Sequence, residues 1–201
     1  SFSFRGLTVG GFLDFAVFAN NWQGLTKEPL RHNQFGGTLG GPLLPDRLFV
    51  FGNFEQLYSN TRSQPSTYFL PSPLLVSLAP TNSIAKSLWS AFPPPAGETI
   101  PGIFYAVRKE FAYPLNQRNI FGLGRGDYSS LDGTHHISAR YAFSQNTQDD
   151  FVLSPYPGLN SPLVVRGQNL SLNYTRDLYG GTNEVKFGFN RNSINLIRPH
   201  P

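Results

Sequence analysis

The 201-residue chain contains no cysteine and no methionine, and only 14% of its residues are charged. Without cysteine, neither a disulfide framework nor a thiolate metal site can form. An average domain carries about a quarter charged residues, so a soluble protein this poor in charge would need another way to cover its surface. Methionine is missing at position 1 as well, and no basic-then-apolar signal peptide opens the chain, so we expect an internal piece of a longer protein.

The chain also lacks a continuous apolar run of about 18 residues, which a transmembrane helix requires. This absence does not exclude a membrane protein, because barrel strands alternate between polar and apolar residues and keep the mean hydropathy low. The formal charge of +4 is spread along the chain. Such a diffuse positive charge favours anionic lipid or an acidic ligand, and it does not indicate nucleic-acid binding.

Aromatic residues and turn formers are abundant: the chain has 18 Phe, 9 Tyr, 20 Gly and 17 Pro. This combination favours an all-β architecture. Six segments predict strands of the length that a tilted membrane crossing needs, about 9–11 residues. They are 34–42, 47–58, 119–131, 135–145, 165–178 and 182–195. A weaker strand lies near 2–18, where Gly10 and Gly11 indicate a bulge or a loosely specified register.

Alternation within these strands predicts one wet face and one apolar face. In 169–176, for example, Leu170, Leu172 and Tyr174 alternate with polar residues. The same pattern also suits a soluble β-sandwich, so the alternation leaves both architectures open.

The connections distinguish the two architectures better. Short turns are predicted at 43–46, 132–134 and 179–181, whereas the links 59–118 and 146–163 are long. An outer-membrane barrel has short periplasmic turns and long extracellular loops, which predicts this alternation.

The longest link is predicted to fold into short helices. Apolar residues at helical spacing predict helices over 73–79 and 82–92, and Asn82 or Ser83 is placed to cap the second one. Three prolines at 93–95 then end it.

Several motifs, in this order along residues 30–195, resemble those of Oar-like TonB-dependent receptors. They are Leu30-Arg-His-Asn-Gln-Phe-Gly-Gly-Thr-Leu-Gly-Gly-Pro-Leu, Phe49-Val-Phe-Gly-Asn-Phe-Glu, Ala85-Lys-Ser-Leu-Trp-Ser-Ala-Phe-Pro-Pro-Pro, Gly124-Arg-Gly-Asp-Tyr, Ala139-Arg-Tyr-Ala-Phe-Ser, Asn173-Tyr-Thr-Arg and Asn183-Glu-Val-Lys-Phe-Gly-Phe-Asn-Arg. The start departs from the family pattern, because Ser1-Phe-Ser-Phe-Arg-Gly stands where the family carries an N-E-f-H-G stretch.

The resemblance implies that residues 1–201 are the N-terminal part of a transmembrane β-barrel, antiparallel and up-and-down, with about seven strands of a larger barrel of roughly 22. The implied protein lies in the bacterial outer membrane and takes up a scarce ligand. Its implied partners are outer-membrane lipid, a plug domain, the remaining barrel strands, and TonB through segments outside this chain. No cofactor is implied. The alternative is a soluble or surface-attached β-sandwich that binds carbohydrate or protein.

Under the barrel interpretation, strand parity predicts which side chains face the lumen and which face lipid. An isolated Arg or Lys facing lipid near the midplane costs about 2–4 kcal/mol, so charged residues should point inward. The predicted lumen-facing residues are Asn53, Glu55, Arg125, Asp127, Arg140, Glu184 and Lys186. They are expected to pair across strands and contact the plug; a sharper hypothesis has Arg125 and Arg140 lining a ligand path. The predicted lipid-facing residues are Phe35, Leu39, Val50, Phe54, Tyr58, Tyr128, Tyr141, Tyr174, Phe187 and Phe189.

The other candidate sites are better explained as structural features than as functional sites. The glycine-rich 122–126 lies in a strand pattern with no helix after it, so it lacks the context of a phosphate loop. His135 and His136 are adjacent in a strand and should point to opposite faces. Asp149 and Asp150 resemble a solvated loop more than a calcium site, and no metal site is predicted. No nucleophile elbow, HExxH motif or carboxylate dyad is present, so the sequence does not predict an enzyme.

Overall fold

The structure, a computed structural model, describes residues 3–13, 30–156 and 158–198. This part of the chain forms ten strands and two short helices. In chain order they are β1 (Ser3–Leu13), β2 (Leu30–Leu44), β3 (Leu48–Arg62), β4 (Ser66–Pro71), α1 (Pro73–Leu78), α2 (Ile84–Ala91), β5 (Glu98–Ile100), β6 (Ile103–Phe111), β7 (Pro114–Ser129), β8 (His135–Gln148), β9 (Leu163–Leu178) and β10 (Gly181–Leu196). No helix among the described residues is long and apolar enough to cross a membrane.

Seven of these strands form one antiparallel sheet in the order β1-β2-β3-β7-β8-β9-β10. Every strand pairs with its neighbour along the chain except where β3 leads to β7, because the segment between them folds separately. The sheet is open, with β1 and β10 at its edges. The predicted all-β, antiparallel up-and-down arrangement is therefore confirmed, with the predicted number of strands.

The six clear strand predictions are confirmed, and most of these strands are longer than predicted. The segment predicted at 119–131 begins earlier, at Pro114. The predicted bulge at Gly10 and Gly11 is wrong: pairing runs without a shift from Ser3 opposite Gly40 to Leu13 opposite Leu30. The rest of the 2–18 prediction lies outside the described residues. The one irregularity on β2 falls between Pro42 and Leu44, where proline has no N–H to donate to the ladder.

Each short turn contains a residue in the left-handed region of backbone space, as tight hairpins require. Asp46 has φ 55°, Gly133 has φ 69° and Gly180 has φ 87°. The predicted alternation of these turns with long connections is confirmed.

The turn between β7 and β8 is further held by the Asp132 carboxylate. It accepts hydrogen bonds from the Ser130 hydroxyl, from Thr134 Oγ1 at 2.7 Å and from Thr134 N at 3.2 Å. These donors, Ser130 first, hold the pKa of Asp132 well below its usual range, because they stabilise the ionised form.

The long link between β3 and β7 forms a small folded unit, which we call the loop module (residues 63–113). Both predicted helices are present: Ser72 and Ser83 cap them by accepting from Leu75 N at 3.2 Å and Lys86 N at 3.1 Å. The module also contains a three-stranded sheet, β4-β6-β5, which the sequence analysis did not predict.

The loop module has a core of its own. Leu70, Phe92 and Val107 are 3%, 8% and 4% exposed, and they are the buried apolar side chains among the described residues.

Candidate functional site

The register of the large sheet determines which side chains share a face. Residues directly opposite each other in an antiparallel ladder project to the same side. One such row crosses six strands, through Leu39, Gly52, Gly124, Tyr141, Leu170 and Phe189. We call this side the aromatic face. All ten predicted lipid-facing residues lie on it; besides those in the row they are Phe35, Val50, Phe54, Tyr58, Tyr128, Tyr174 and Phe187. That this face meets lipid stays a prediction.

The opposite side, which we call the carboxylate face, carries all the predicted lumen-facing residues. They are Asn53, Glu55, Arg125, Asp127, Arg140, Glu184 and Lys186. Across β2, β3 and β7 to β10, every Asp and Glu lies on this face, since Asp177 also belongs to it. The acidic residues of these strands are thus confined to one of the two faces of the sheet.

Two ion pairs on the carboxylate face run along strands, where cross-strand pairs were expected, and one contact does cross strands: His136 Nε2 of β8 lies 3.7 Å from Asp177 Oδ2 of β9. Arg125 Nε lies 2.8 Å from Asp127 Oδ2, and Lys186 Nζ lies 2.8 Å from Glu184 Oε2. The reason is that residues two apart on a strand share a face and lie within reach of long side chains. A cross-strand contact reinforces one pair, because Asn173 Nδ2 donates to Glu184 Oε1 at 3.0 Å.

Arg125 and Arg140 stand directly opposite each other on β7 and β8. Like charges in this position destabilise a sheet unless a counter-charge offsets them. Asp127 neutralises Arg125, whereas Arg140 forms no hydrogen bond or ion pair with the described part of the chain. The centre of the carboxylate face therefore retains an uncompensated positive charge.

An apolar patch on the carboxylate face was missed by the sequence analysis. Phe49 and Phe51 alternate with the predicted lipid-facing Val50 and project to the opposite side, where they lie opposite Asp127 and Arg125 of β7. Phe49 and Phe51 are both exposed. The signal was available, because an unbroken apolar run at 48–51 indicates a strand whose two faces are both covered.

The hydrogen bonds between β3 and β7 continue into the first and last residues of the loop module. Ser63 N donates to Tyr113 O at 2.8 Å, and Tyr113 N donates to Ser63 Oγ at 2.9 Å, so the two chain segments leave the large sheet together. Tyr68, Phe111 and Tyr113 pack next to this clip, with ring centroids 5.7–6.0 Å apart. Burial raises the pKa of the Tyr113 phenol above its usual value.

The module presents apolar side chains around a shallow groove of about 460 Å³, between the start of α1 and the β5–β6 turn. Leu74, Ile103 and Phe104 line it, and Phe104 is 73% exposed. Exposed apolar surface on an otherwise folded loop is typical of a contact surface.

The remaining candidates behave as structural residues. His135 Nδ1 lies 2.8 Å from the Tyr174 hydroxyl on the aromatic face, whereas His136 Nδ1 lies 3.1 Å from Ser129 Oγ on the other, which confirms their opposite directions. Asp150 Oδ1 accepts from three backbone N–H groups, of Val152, Leu153 and Ser161, and so anchors its loop. Residues 122–126 lie within β7, as predicted. The described residues contain no group of three potential metal ligands.

A long antiparallel sheet with one mainly apolar and one acidic face, and with turns short at one end and long at the other, is typical of the wall of an outer-membrane β-barrel. Comparison with known proteins agrees: a family model described as an outer membrane beta barrel domain matches residues 11–77. No curated protein and no solved structure matches the chain. The protein is an outer-membrane protein of the barrel type, located in the outer membrane of a bacterial cell.

Proposed function

We propose that this chain is part of the barrel wall of a TonB-dependent receptor that takes up a scarce ligand. The supporting observation is the division of the wall: all acidic residues of β2, β3 and β7 to β10 lie on one face, most of their aromatic residues lie on the other, and a folded loop module stands at the end opposite the short turns. A receptor needs these parts, namely a wet interior, a lipid-facing exterior and an outer surface for ligand capture.

In this proposal the carboxylate face lines the barrel interior. Arg140, whose charge no described residue neutralises, and Arg125 opposite it favour an anionic ligand or an acidic plug segment. The apolar patch around Phe49 and Phe51 suits packing against a plug, since exposed apolar side chains lining an aqueous lumen would otherwise be unfavourable. The loop module contributes part of the ligand-facing exterior.

The open edges of the sheet support a larger barrel. Unpaired N–H and C=O groups on β1 and β10 are not tolerated in hydrocarbon, so further strands of the same protein have to pair with them. The plug, those strands and the TonB contact are the proposed partners outside this chain. Energy relayed from the inner membrane through TonB then displaces the plug and admits the ligand. We propose no catalytic activity and no cofactor.

The alternative, a soluble β-sandwich, requires a second layer over one face of the large sheet. In the described residues no apolar side chain of that sheet is buried, and the exposed aromatic face includes Phe54, Leu172 and Phe187. These features favour the barrel wall over the sandwich.

The test is made on the whole protein expressed in bacterial cells, with two readouts. Membrane fractionation is expected to recover it in the outer membrane and to require detergent for extraction; recovery in the soluble fraction would support the sandwich. Photo-cross-linking in the same cells is expected to join the protein to TonB, with a yield that changes when a protonophore collapses the protonmotive force. An outer-membrane protein that never cross-links to TonB would contradict the receptor and leave the barrel intact.

A further inference from the structure

The charges on the aromatic face are of one kind. Across β2, β3 and β7 to β10 that face carries arginine and no lysine, aspartate or glutamate. One of these arginines, Arg176, lies near the short turns. The others lie toward the long connections, and we call them the arginine border: Arg31, Arg62, Arg118, Arg166 and Arg191.

The border begins where the apolar part of each strand ends. On β10, Arg191 is the next residue on the same face after Phe189, and on β7, Arg118 is the next after Ile120. On β9, Gln168 separates Leu170 from Arg166. The aromatic face therefore changes from hydrocarbon to guanidinium and amide groups along one line.

Four of the five border arginines lie on a line that crosses the sheet at the slant of a membrane boundary, whereas Arg62 lies further out, four residues beyond the partner of Arg118 on β3. From β10 toward β2, each of these arginines lies two residues closer to the long connections than the residue that is paired, across the sheet, with the previous arginine. Their order is Arg191, Arg166, Arg118 and Arg31. This shift is roughly one residue per strand. With about 3.3 Å per residue and about 4.8 Å between strands, it corresponds to a tilt of roughly 35–40°. Membrane barrels tilt their strands by about 35–45°, so the border runs parallel to the membrane surface.

Neutral groups hold Arg118 and Arg166 in place and leave their charge available. Arg118 Cζ lies 5.3 Å from the centroid of the Tyr58 ring, and the Gln56 amide oxygen, once correctly oriented, accepts from its Nε and Nη2 at 2.7 and 2.8 Å. Arg166 donates to Gln145 Oε1 at 2.9 and 3.2 Å. Arg191 shares a cavity of about 160 Å³ with Arg166. No carboxylate of the described residues forms an ion pair with Arg118, Arg166 or Arg191, so a ligand can supply their counter-charge.

A groove lies next to the border on the apolar side. It has a volume of about 530 Å³ and runs over Gly37 and Gly52, between Phe35, Leu39 and Phe54. On β7 the same face presents glycine at 122, 124 and 126, so the floor of this region is backbone. A Cβ on Gly124 would meet nothing within 4 Å, so the space is open to a chain-like apolar group.

We propose that the arginine border binds phosphorylated lipid headgroups of the outer leaflet and that the groove takes an acyl chain of such a lipid. Guanidinium groups bind phosphate in a bidentate manner and keep their charge at any physiological pH. A free phosphate ion would use the arginines and leave the groove empty, whereas a phosphorylated lipid uses both. This proposal rests on the proposed function only in requiring that the aromatic face meets lipid.

The test measures lipid binding to the purified whole protein in a zwitterionic detergent by native mass spectrometry. The probes are dioleoyl phosphatidic acid, dioleoylglycerol (the same lipid without its phosphate) and inorganic phosphate as a competitor. The test variant combines Arg118→Gln, Arg166→Gln and Arg191→Gln. Arg176→Gln is the matched control, because it removes one arginine from the same face at the opposite border.

Wild type is expected to prefer phosphatidic acid, and each arginine removed should weaken that binding about fivefold, which makes about 100-fold for the triple variant. Arg176→Gln should bind as wild type does, and the corresponding triple Lys variant should retain most of the affinity, which separates loss of charge from misfolding. Equal binding by wild type and the triple Gln variant would overturn the proposal. So would equal weakening by Arg176→Gln, or full displacement of the lipid by inorganic phosphate.

A parallel flotation assay with phosphatidylcholine vesicles separates this proposal from the proposed function. If wild type inserts into vesicles but does not prefer phosphatidic acid, the arginine border alone is refuted. If wild type stays in the aqueous phase, the barrel wall itself is refuted.

Discussion

The large sheet and the loop module are built in opposite ways. Strands β2, β3 and β7 to β10 have 14–16 residues each and are paired over most of their length, yet no apolar side chain among them is buried. The loop module has strands of 3–9 residues and nevertheless holds Leu70, Phe92 and Val107 in a core. The sheet relies on its backbone ladder and on what surrounds it, whereas the module folds around its own interior.

This difference leads us to propose that the two regions lie in different solvents. In water, the exposed aromatic face would leave Phe54, Leu172 and Phe187 unfavourably hydrated, whereas in lipid the same side chains need no protein cover. The module buries Leu70, Phe92 and Val107 and caps both of its helices, as a unit standing in water does, although Phe104 at its groove stays exposed. Substitutions in the two regions should therefore respond differently to the surrounding medium.

The largest effect is expected from Leu70→Ala in the loop module, because Leu70 of β4 is 3% exposed and lies directly opposite Val107 of β6. Truncating a buried leucine to alanine destabilises by about 2–5 kcal/mol, because contacts are lost and a cavity remains. Hydrogen exchange of the amides of β4 and β6 should accelerate strongly, and exchange in β8 and β9 should not change. Ile84→Ala, at a position 88% exposed, is the control and should have little effect. Acceleration throughout the large sheet would show that the two regions are not independent.

A charge placed on the aromatic face should be nearly as damaging, but only in a bilayer. Leu172→Arg at the middle of β9 is expected to lower the free energy of unfolding by about 2–4 kcal/mol for the whole protein in lipid vesicles. The nearby Asn169→Arg, which points to the carboxylate face opposite the uncharged Ala142 and Asn190, should change it much less. Denaturant titration in vesicles measures both. Equal losses would refute the assignment of the faces.

Loss of a helix cap in the module should have a moderate effect. The Ser72 hydroxyl accepts from Leu75 N and donates to Phe104 O at 2.7 Å, so it links α1 to β6. Ser72→Ala is expected to cost about 1 kcal/mol of local stability. Exchange rates of the α1 amides measure it, and Ser77→Ala on the exposed side of the same helix is the control. A comparable response to both variants would argue against the cap.

The smallest effect is expected at the turn between β7 and β8, from Asp132→Asn. The pKa of Asp132 is lowered in the folded protein, so its carboxylate contributes stability above the unfolded value of about 3.9 and loses it as pH falls below that value. The stability difference between wild type and variant should therefore be present at pH 7 and shrink below about pH 4. Thermal unfolding at several pH values measures it, and a difference independent of pH would exclude the carboxylate as its source.

Features that depend on residues close together in the sequence were predictable from the sequence alone. The alternation of Val185, Phe187 and Phe189 with polar residues is enough to divide β10 into two faces, because the side-chain period of a strand is two wherever it pairs. The turns at Gly133 and Gly180 were predictable for the same reason, since a positive φ is a local demand that glycine meets without strain. The sequence alone therefore determined the strands, their two faces and the alternation of short turns with long loops.

Only the tertiary structure decided which residues meet across strands. The β4-β6 pair joins Ser66–Pro71 to residues more than thirty positions away. Neither the short length of β4 nor its composition indicates which strand it pairs with. The arginine border likewise depends on the register of several strands at once: Arg31, Arg118 and Arg191 are scattered in the sequence and form a slanted line only when the ladders align them. Pairing register is set by the whole sheet, and no local pattern contains it.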